Sequence, residues 1–259
     1  MTKSFLSKFQ TVYEEKKSIL CVGLDVAVLG QRPSRTIPPE TDRLDFMLDL
    51  LEKVSPYCMA VKPNRQYVLG LTTAELSTFN KKVHELGLIS IIDHKLSDIG
   101  STNDSALFWI NKEGFDALTF SPFAGNTRGA AEKAHEYGLG LIVLTLMSNP
   151  EAKWMITESI NGKLAYRFYA EEVQNWADVA VVGATGHVKL EHIKEIKQII
   201  GNKLILAPGV GAQGGDAEKL IQICGSELLI NVGRAIIYDP DPAKKAKEFN
   251  DLFNNSLKK

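Results

Sequence analysis

The sequence predicts an α/β fold in which eight parallel strands and their crossover helices close into one (β/α)8 barrel of the TIM type, a single domain over residues 1–259. Three observations predict it. Short apolar runs alternate with amphipathic stretches along the whole chain, the pattern of a parallel sheet whose crossovers are helices. The runs number eight, and 259 residues is an ordinary length for that repeat. No break in composition splits them into halves, which disfavours an open, doubly wound sheet.

Ahead of the first run, Phe5, Leu6, Phe9, Val12 and Tyr13 recur at helical spacing, while Lys8, Glu14, Glu15 and Lys16 interrupt them as no secretory signal tolerates. This segment is expected to be an amphipathic helix covering the barrel bottom. The strands follow as Ile19–Leu24, Cys58–Val61, Ser90–Asp93, Ala117–Phe120, Leu141–Thr145, Val179–Val182, Leu204–Ala207 and Leu228–Asn231. In such a barrel the C-terminal strand ends carry the site, so the polar residues that close each run matter most. In order they are Asp25, Lys62, Asp93 with Lys95 and Asp98, Ser121, Ser148, Gly183 with Thr185, the stretch from Pro208 to Gly215, and Gly233 with Arg234. Two longer insertions, Val26–Glu40 and Asn149–Tyr166, open on the same face, and the second is a candidate lid.

Composition excludes several classes of function. A net charge of −1 with scattered basic residues gives no electrostatic footprint for nucleic acid or an anionic membrane. The 44% of hydrophobic residues include no unbroken run long enough to span a bilayer. Expected partners are small molecules and a second copy of the chain. Cys21, Cys58 and Cys224 are odd in number, far apart and set in apolar text, which suits buried thiols in a reducing cytoplasm. His84, His94, His135, His187 and His192 form no zinc-binding spacing, so a structural metal has nothing to hold it.

The third strand exits through Ile91-Ile92-Asp93-His94-Lys95-Leu96-Ser97-Asp98. Period two turns Asp93 and Lys95 to one side, where Lys62 joins them at the barrel mouth, while Asp98 falls at the start of the next helix and can face elsewhere. A solvated ion pair explains any one of these residues well, but the spaced set points to a site.

Asp-x-Lys-x-x-Asp-Ile-x-x-Thr, read from Asp93 to Thr102, resembles the signature of the orotidine 5'-monophosphate decarboxylase family. Val22-Gly23-Leu24-Asp25 resembles that family's first strand, Val61-Lys62-Pro63-Asn64 its second, and Leu146-Met147-Ser148-Asn149-Pro150 its pyrimidine-side loop. The similarity runs from about Ile19 to Asp239, with Asn149–Tyr166 the least matched, and Val182-Gly183-Ala184-Thr185 and Pro208–Gly215 look most like the family's longer branch. Sugar-phosphate relatives that share Asp-x-Lys-x-x-Asp resemble one another in carrying Glu on the second strand for Mg2+. Lys62 stands there instead and would repel a metal.

The resemblance implies cofactor-free conversion of orotidine monophosphate to uridine monophosphate, in pyrimidine biosynthesis. It assigns proton donation at C6 to Lys95 and a place near the substrate carboxylate to Asp93. Lys62 and Asp98 complete a tetrad of zero net charge, each cation holding its neighbours ionised. Asp98 and Thr102 are implied to cross a two-fold interface into the neighbouring subunit's site. Asp25 resembles the ribose contact and Ser148 the pyrimidine contact, although loop capping explains either residue alone equally well.

The resemblance implies that Gln213, Gly233 and Arg234 hold the substrate phosphate, and it adds Pro208 to the substrate-binding residues. Gly209-Val-Gly211-Ala-Gln-Gly214 also fits the dinucleotide fingerprint Gly-x-Gly-x-x-Gly. That fingerprint normally opens a βαβ unit, whereas this one follows the seventh strand of eight, where barrels build phosphate sites. The bland alternative is a tight turn and a surface arginine. The competing functional class is a silent barrel that binds a phosphorylated metabolite, whose signature is the glycine-rich site without the charged tetrad.

Overall fold

Short runs rich in Val, Ile and Leu, bounded by turn residues, have too few positions to make helices and form strands instead. In the computed structural model, which describes residues 4–209 and 214–258, they are β1 (Leu20–Leu24), β2 (Ala60–Pro63), β3 (Ile89–Leu96), β4 (Ala117–Phe120), β5 (Gly140–Leu146), β6 (Val179–Val182), β7 (Leu204–Pro208) and β8 (Leu228–Val232). Neighbours pair in parallel in chain order, and Leu20 of β1 lies opposite Ile230 of β8, which closes the barrel. Closure rules out the open, doubly wound sheet.

Two strands run two or three residues past their expected ends, because a charge resembles a strand end, while the other six end within one residue of expectation. The second strand is Ala60–Pro63 rather than Cys58–Val61, since Gly23 and Leu24 pair with Lys62 and Pro63. The third runs on to Leu96, three residues past its expected end. In both places a charged side chain lies within the ladder, which the site below explains.

The predicted bottom helix is Phe5–Lys16, with the Ser4 hydroxyl accepting the Ser7 N–H at 3.3 Å. Its Phe5, Phe9 and Val12 join Cys21, Met59, Ile91 and Leu206 in an interior cluster distinct from the larger core between strands and outer helices. Gly140 opens β5 because Phe5 occupies the space beside it: a Cβ there would lie 2.4 Å from the Phe5 ring. Burying that ring contributes about 2–3 kcal/mol toward holding the helix across the barrel end.

Both insertions are folded. Val26–Glu40 is an Ω-shaped loop whose neck is closed by the Ile37 N–H donating to the Ala27 carbonyl at 2.8 Å. Asn149–Tyr166 contains a 3-10 helix, Pro150–Ile156, and a two-stranded hairpin, Ser159–Ile160 with Lys163–Leu164. Asn161 and Gly162 turn the hairpin with positive φ (51° and 78°), as a type I′ turn requires. Cys21, Cys58 and Cys224 are buried and unpaired, and among the described residues no helix is long and apolar enough to cross a membrane.

Candidate active site

Lys62, Asp93 and Lys95 meet at the barrel mouth, as expected. Lys62 Nζ lies 2.5 Å from Asp93 Oδ2, and Lys95 Nζ lies 2.6 Å from Asp93 Oδ1. The Lys62 and Asp93 side chains are 7% and 12% exposed, whereas Lys95 is 45% exposed and faces the opening.

Period two is not what aligns them. The β3–β4 pairing slips between Ile92 and Leu96, and Lys95 sits at φ 51°, in the left-handed region. That conformation costs a lysine on the order of 1–3 kcal/mol and persists only where neighbours enforce it. Thr119 on β4 enforces it: its hydroxyl accepts the Lys95 backbone N–H at 2.9 Å and donates to Asp93 Oδ1 at 2.9 Å. Sequence reasoning missed Thr119, and its only signal was one hydroxyl inside the apolar run Ala117-Leu118-Thr119-Phe120.

Burial pushes the Asp93 carboxyl up, but the ammoniums of Lys62 and Lys95 outweigh it and hold the group well below the usual carboxylate range. Burial likewise pulls Lys62 down, and the Asp93 carboxylate more than reverses that. Two ammoniums and one carboxylate leave a fixed net charge of +1. They line a cavity of about 120 Å3 with Thr119 and Pro208, walled by Leu144, Met147, Val181 and Leu206. An apolar cavity of about 310 Å3 shares Leu144 and Met147 and is bounded by Trp154 and Met155, so the second insertion forms one wall of the mouth.

Next to Pro208, Gly209 lines a third cavity of about 360 Å3 together with Asp25, Arg35, Asn231, Gly233 and Arg234. Burial raises the Asp25 carboxyl, with Lys62 pulling the other way. Gly23 and Gly233 let β1 and β8 approach here, since a Cβ on Gly23 would lie 3.2 Å from the Gly233 Cα. Neither Arg35 nor Asn231 was foreseen, although Asn231 is a lone polar residue in an apolar strand and its Oδ1 is buried without a partner. Ser148 is half-buried against Gly183, where an added Cβ would lie 2.5 Å from its own, so Gly183 serves to admit it.

Asp98 and Thr102 do not reach the cluster within one chain. Both are exposed; Asp98 Oδ1 accepts the Ile99 N–H at 2.8 Å, and Thr102 rides on the helix Gly100–Glu113. Gln213 lies outside the described residues. Behind the site, Arg65 forks onto Glu113 at 2.9 and 2.5 Å and reaches His94 Nδ1 at 3.3 Å. This ties the segment after Lys62 to the helix after Lys95. Burial, then Arg65, push His94 down to about 4, so its imidazole is neutral at pH 7. Among the described residues no three His, Cys, Asp or Glu side chains are grouped to hold a metal ion.

Fold and site together define a (β/α)8-barrel enzyme whose charged groups form a lysine–aspartate–lysine array at the strand ends, with Lys62 and Asp93 enclosed and Lys95 open to the mouth. A model of the orotidine 5'-phosphate decarboxylase / HUMPS family matches residues 18–249, and the chain belongs to that family. It is 30% identical to an orotidine 5'-phosphate decarboxylase of Phocaeicola vulgatus, over 95% of this chain and 92% of that one. The counterpart from Christiangramia forsetii is 32% identical over 90% and 89%. Among solved structures, OMP decarboxylase of Leishmania donovani shares the fold with a TM-score of 0.81, covering 99% of this chain and 100% of its own at 23% identity. The orotidine 5'-monophosphate decarboxylase of Methanocaldococcus jannaschii, complexed with the inhibitor BMP, gives 0.71 over 91% and 98% at 25% identity.

Proposed function

We propose that the enzyme is a carboxy-lyase that converts orotidine 5'-monophosphate to uridine 5'-monophosphate and CO2 without a cofactor, as a step of pyrimidine biosynthesis. The observation that carries this reading is the Lys62–Asp93–Lys95 array, a charged cluster kept ionised in a mostly apolar cavity. Breaking the C6–carboxylate bond leaves an electron pair in the ring plane, where the ring's π system cannot accept it. Stabilisation must therefore be electrostatic and preorganised. An ammonium has three donors, and Lys95 spends one on Asp93, so it can face C6, stabilise the pair and then protonate it. Asp93, held ionised, repels the substrate carboxylate, and that repulsion is relieved as CO2 leaves. Asp25 and Ser148 take the ribose and the pyrimidine edge, and Pro208, Gln213, Gly233 and Arg234 the phosphate side.

The active form in this reading is a two-fold dimer in which Asp98 and Thr102 complete the neighbouring site. Ile99, Trp109 and Phe123, on or next to the same segment, are 63%, 52% and 85% exposed, which is apolar surface suited to such an interface. Refolding Lys95→Ala together with Asp98→Ala tests it, because each mixed dimer then holds one intact site. Random reassociation should restore roughly a quarter of wild-type sites from two inactive parents. No recovery, with mixed dimers demonstrated, would refute the shared site.

The reaction itself is checked by the fall in absorbance of orotidine monophosphate in buffer containing EDTA. No change at high enzyme concentration sinks the assignment. Activity only with added Mg2+ would point to the sugar-phosphate chemistry of the same family.

A further inference from the structure

The arginines of the chain divide into two sets. Arg32, Arg43, Arg65, Arg128 and Arg167 each donate to a carboxylate, a carbonyl or a tyrosine hydroxyl. Among the described residues Arg35 and Arg234 have no hydrogen-bond or ion-pair partner, and these two line the same cavity. They come from opposite ends of the sequence, on the loop after β1 and on the short helix after β8. Two unpaired guanidiniums outnumber the one carboxylate on the same cavity, Asp25, and Gly209 and Gly233 leave part of its wall without side chains, a lining suited to a dianion.

Arg35 is held there by the loop. Arg32 pins the Val26–Glu40 segment, its guanidinium stacked over the Tyr67 and Tyr238 rings at 4.7 and 5.4 Å and bonded to the Asp25 carbonyl. The Tyr238 hydroxyl accepts the Ala27 N–H at 2.9 Å and donates to the Asp25 carbonyl at 3.1 Å. Tyr238 directly follows the helix Arg234–Ile237, so one side chain links the loop bearing Arg35 to the helix bearing Arg234. Arg35 itself sits at φ 59°, a left-handed conformation that is unfavourable for arginine and that this pinned loop maintains.

We propose that Arg35 is a second phosphate-binding arginine, which shares the substrate's 5'-phosphate dianion with Arg234 across the cavity that both line. This rests on the reading of the substrate as a nucleoside monophosphate. The test measures kcat/KM on orotidine monophosphate and on phosphate-free orotidine, and takes their ratio. Arg35→Gly is the informative variant, because glycine accepts φ 59° and keeps the loop while removing the guanidinium. The ratio should fall about 10- to 100-fold, the loss of one or two charge-assisted hydrogen bonds. Arg35→Lys should restore part of it. Arg234→Ala should lower the same ratio.

A ratio within about twofold of wild type in Arg35→Gly, with Arg234→Ala showing its loss, overturns the role of Arg35 and leaves the activity standing. Equal losses on both substrates overturn it too, since that is the mark of a structural role. Calorimetric titration with inorganic phosphate separates this proposal from the functional reading. If the wild type fails to decarboxylate orotidine monophosphate, phosphate binding that weakens in Arg35→Gly still supports the anion site. Equal affinity in the two proteins, or no binding to the wild type, overturns it.

Discussion

At the bottom of the barrel Asp116, just ahead of β4, binds Lys8, His84 Nε2 at 3.1 Å and the Ser90 backbone N–H at 2.8 Å. At the top Asp93 binds Lys62, Lys95 and Thr119. The two carboxylates are equally enclosed, at 11% and 12% exposure, and both are held ionised against burial by the cations around them. Burial and charge therefore do not distinguish structure from site. What differs is the partners. Asp116 takes a backbone N–H of the sheet, and Asp178 repeats the arrangement ahead of β6 with Leu141 N–H at 2.9 Å and His135 Nε2 at 2.9 Å. These carboxylates are part of the sheet's own hydrogen bonding. Asp93 instead takes only side chains, those of Lys62, Lys95 and Thr119, and Lys95 faces the opening with donors to spare.

If this division holds, substitutions at the two ends should separate turnover from stability. The largest effect is expected at the top, where Lys95→Ala should lower kcat by about 10³-fold or more. Uridine monophosphate binding should survive, because the residues proposed to hold its phosphate follow other strands. The unfolding midpoint should shift little, since Lys95 is half exposed and Asp93 keeps Lys62 and Thr119. Rapid-mixing kinetics, nucleotide titration and urea unfolding measure the three quantities. Near-normal turnover would remove Lys95 from the chemistry, and a large loss of stability would make it a structural residue like Asp116.

The reverse is expected at the bottom. Asp116→Ala strands the Ser90 N–H, in a fully buried residue, and frees Lys8 and His84. Removing that acceptor should cost about 2–4 kcal/mol in urea unfolding. The folded enzyme should keep kcat/KM within about twofold of wild type. Loss of activity from protein shown to be folded would mean that the two ends are coupled.

This division also decides what could be read from sequence. The eight strands and the bottom helix were legible because hydrophobic periodicity is set by which faces are buried, and Phe5, Phe9 and Val12 keep helical spacing. Lys62, Asp93 and Lys95 were legible because charges in apolar strands need a reason. Thr119 was not, since threonine is an ordinary strand residue and its role depends on a bulge in the neighbouring strand. Arg35 was hidden for a different reason: only the folded loop brings it to the cavity that Arg234 lines. The hairpin turned by Asn161 and Gly162 lies inside the candidate lid, where a two-residue Asn-Gly turn is its only sequence signal. Asp98 and Thr102 were legible only as members of the spaced motif, and within the chain both are exposed and apart from the cluster.

The smallest predicted effect sharpens the comparison through pH. His135 is held above the ordinary histidine value by its bond to Asp178; burial and Lys203 oppose this more weakly. A histidine raised on folding contributes stability that is fully present below its unfolded value of about 6.5 and is lost as pH rises through the raised folded value. Wild type should therefore be more stable than His135→Gln at pH 6, and the difference should shrink toward pH 9. With the imidazole 45% exposed, the whole effect should stay below about 1 kcal/mol. Asp93, held below the carboxylate range, remains ionised throughout the same window and contributes nothing to the trend. Urea midpoints of both proteins at the two pH values measure it. A difference that is constant or grows with pH would show that His135 bonds Asp178 as a neutral ring, which would leave the bottom of the barrel held by hydrogen bonds without charge on the histidine.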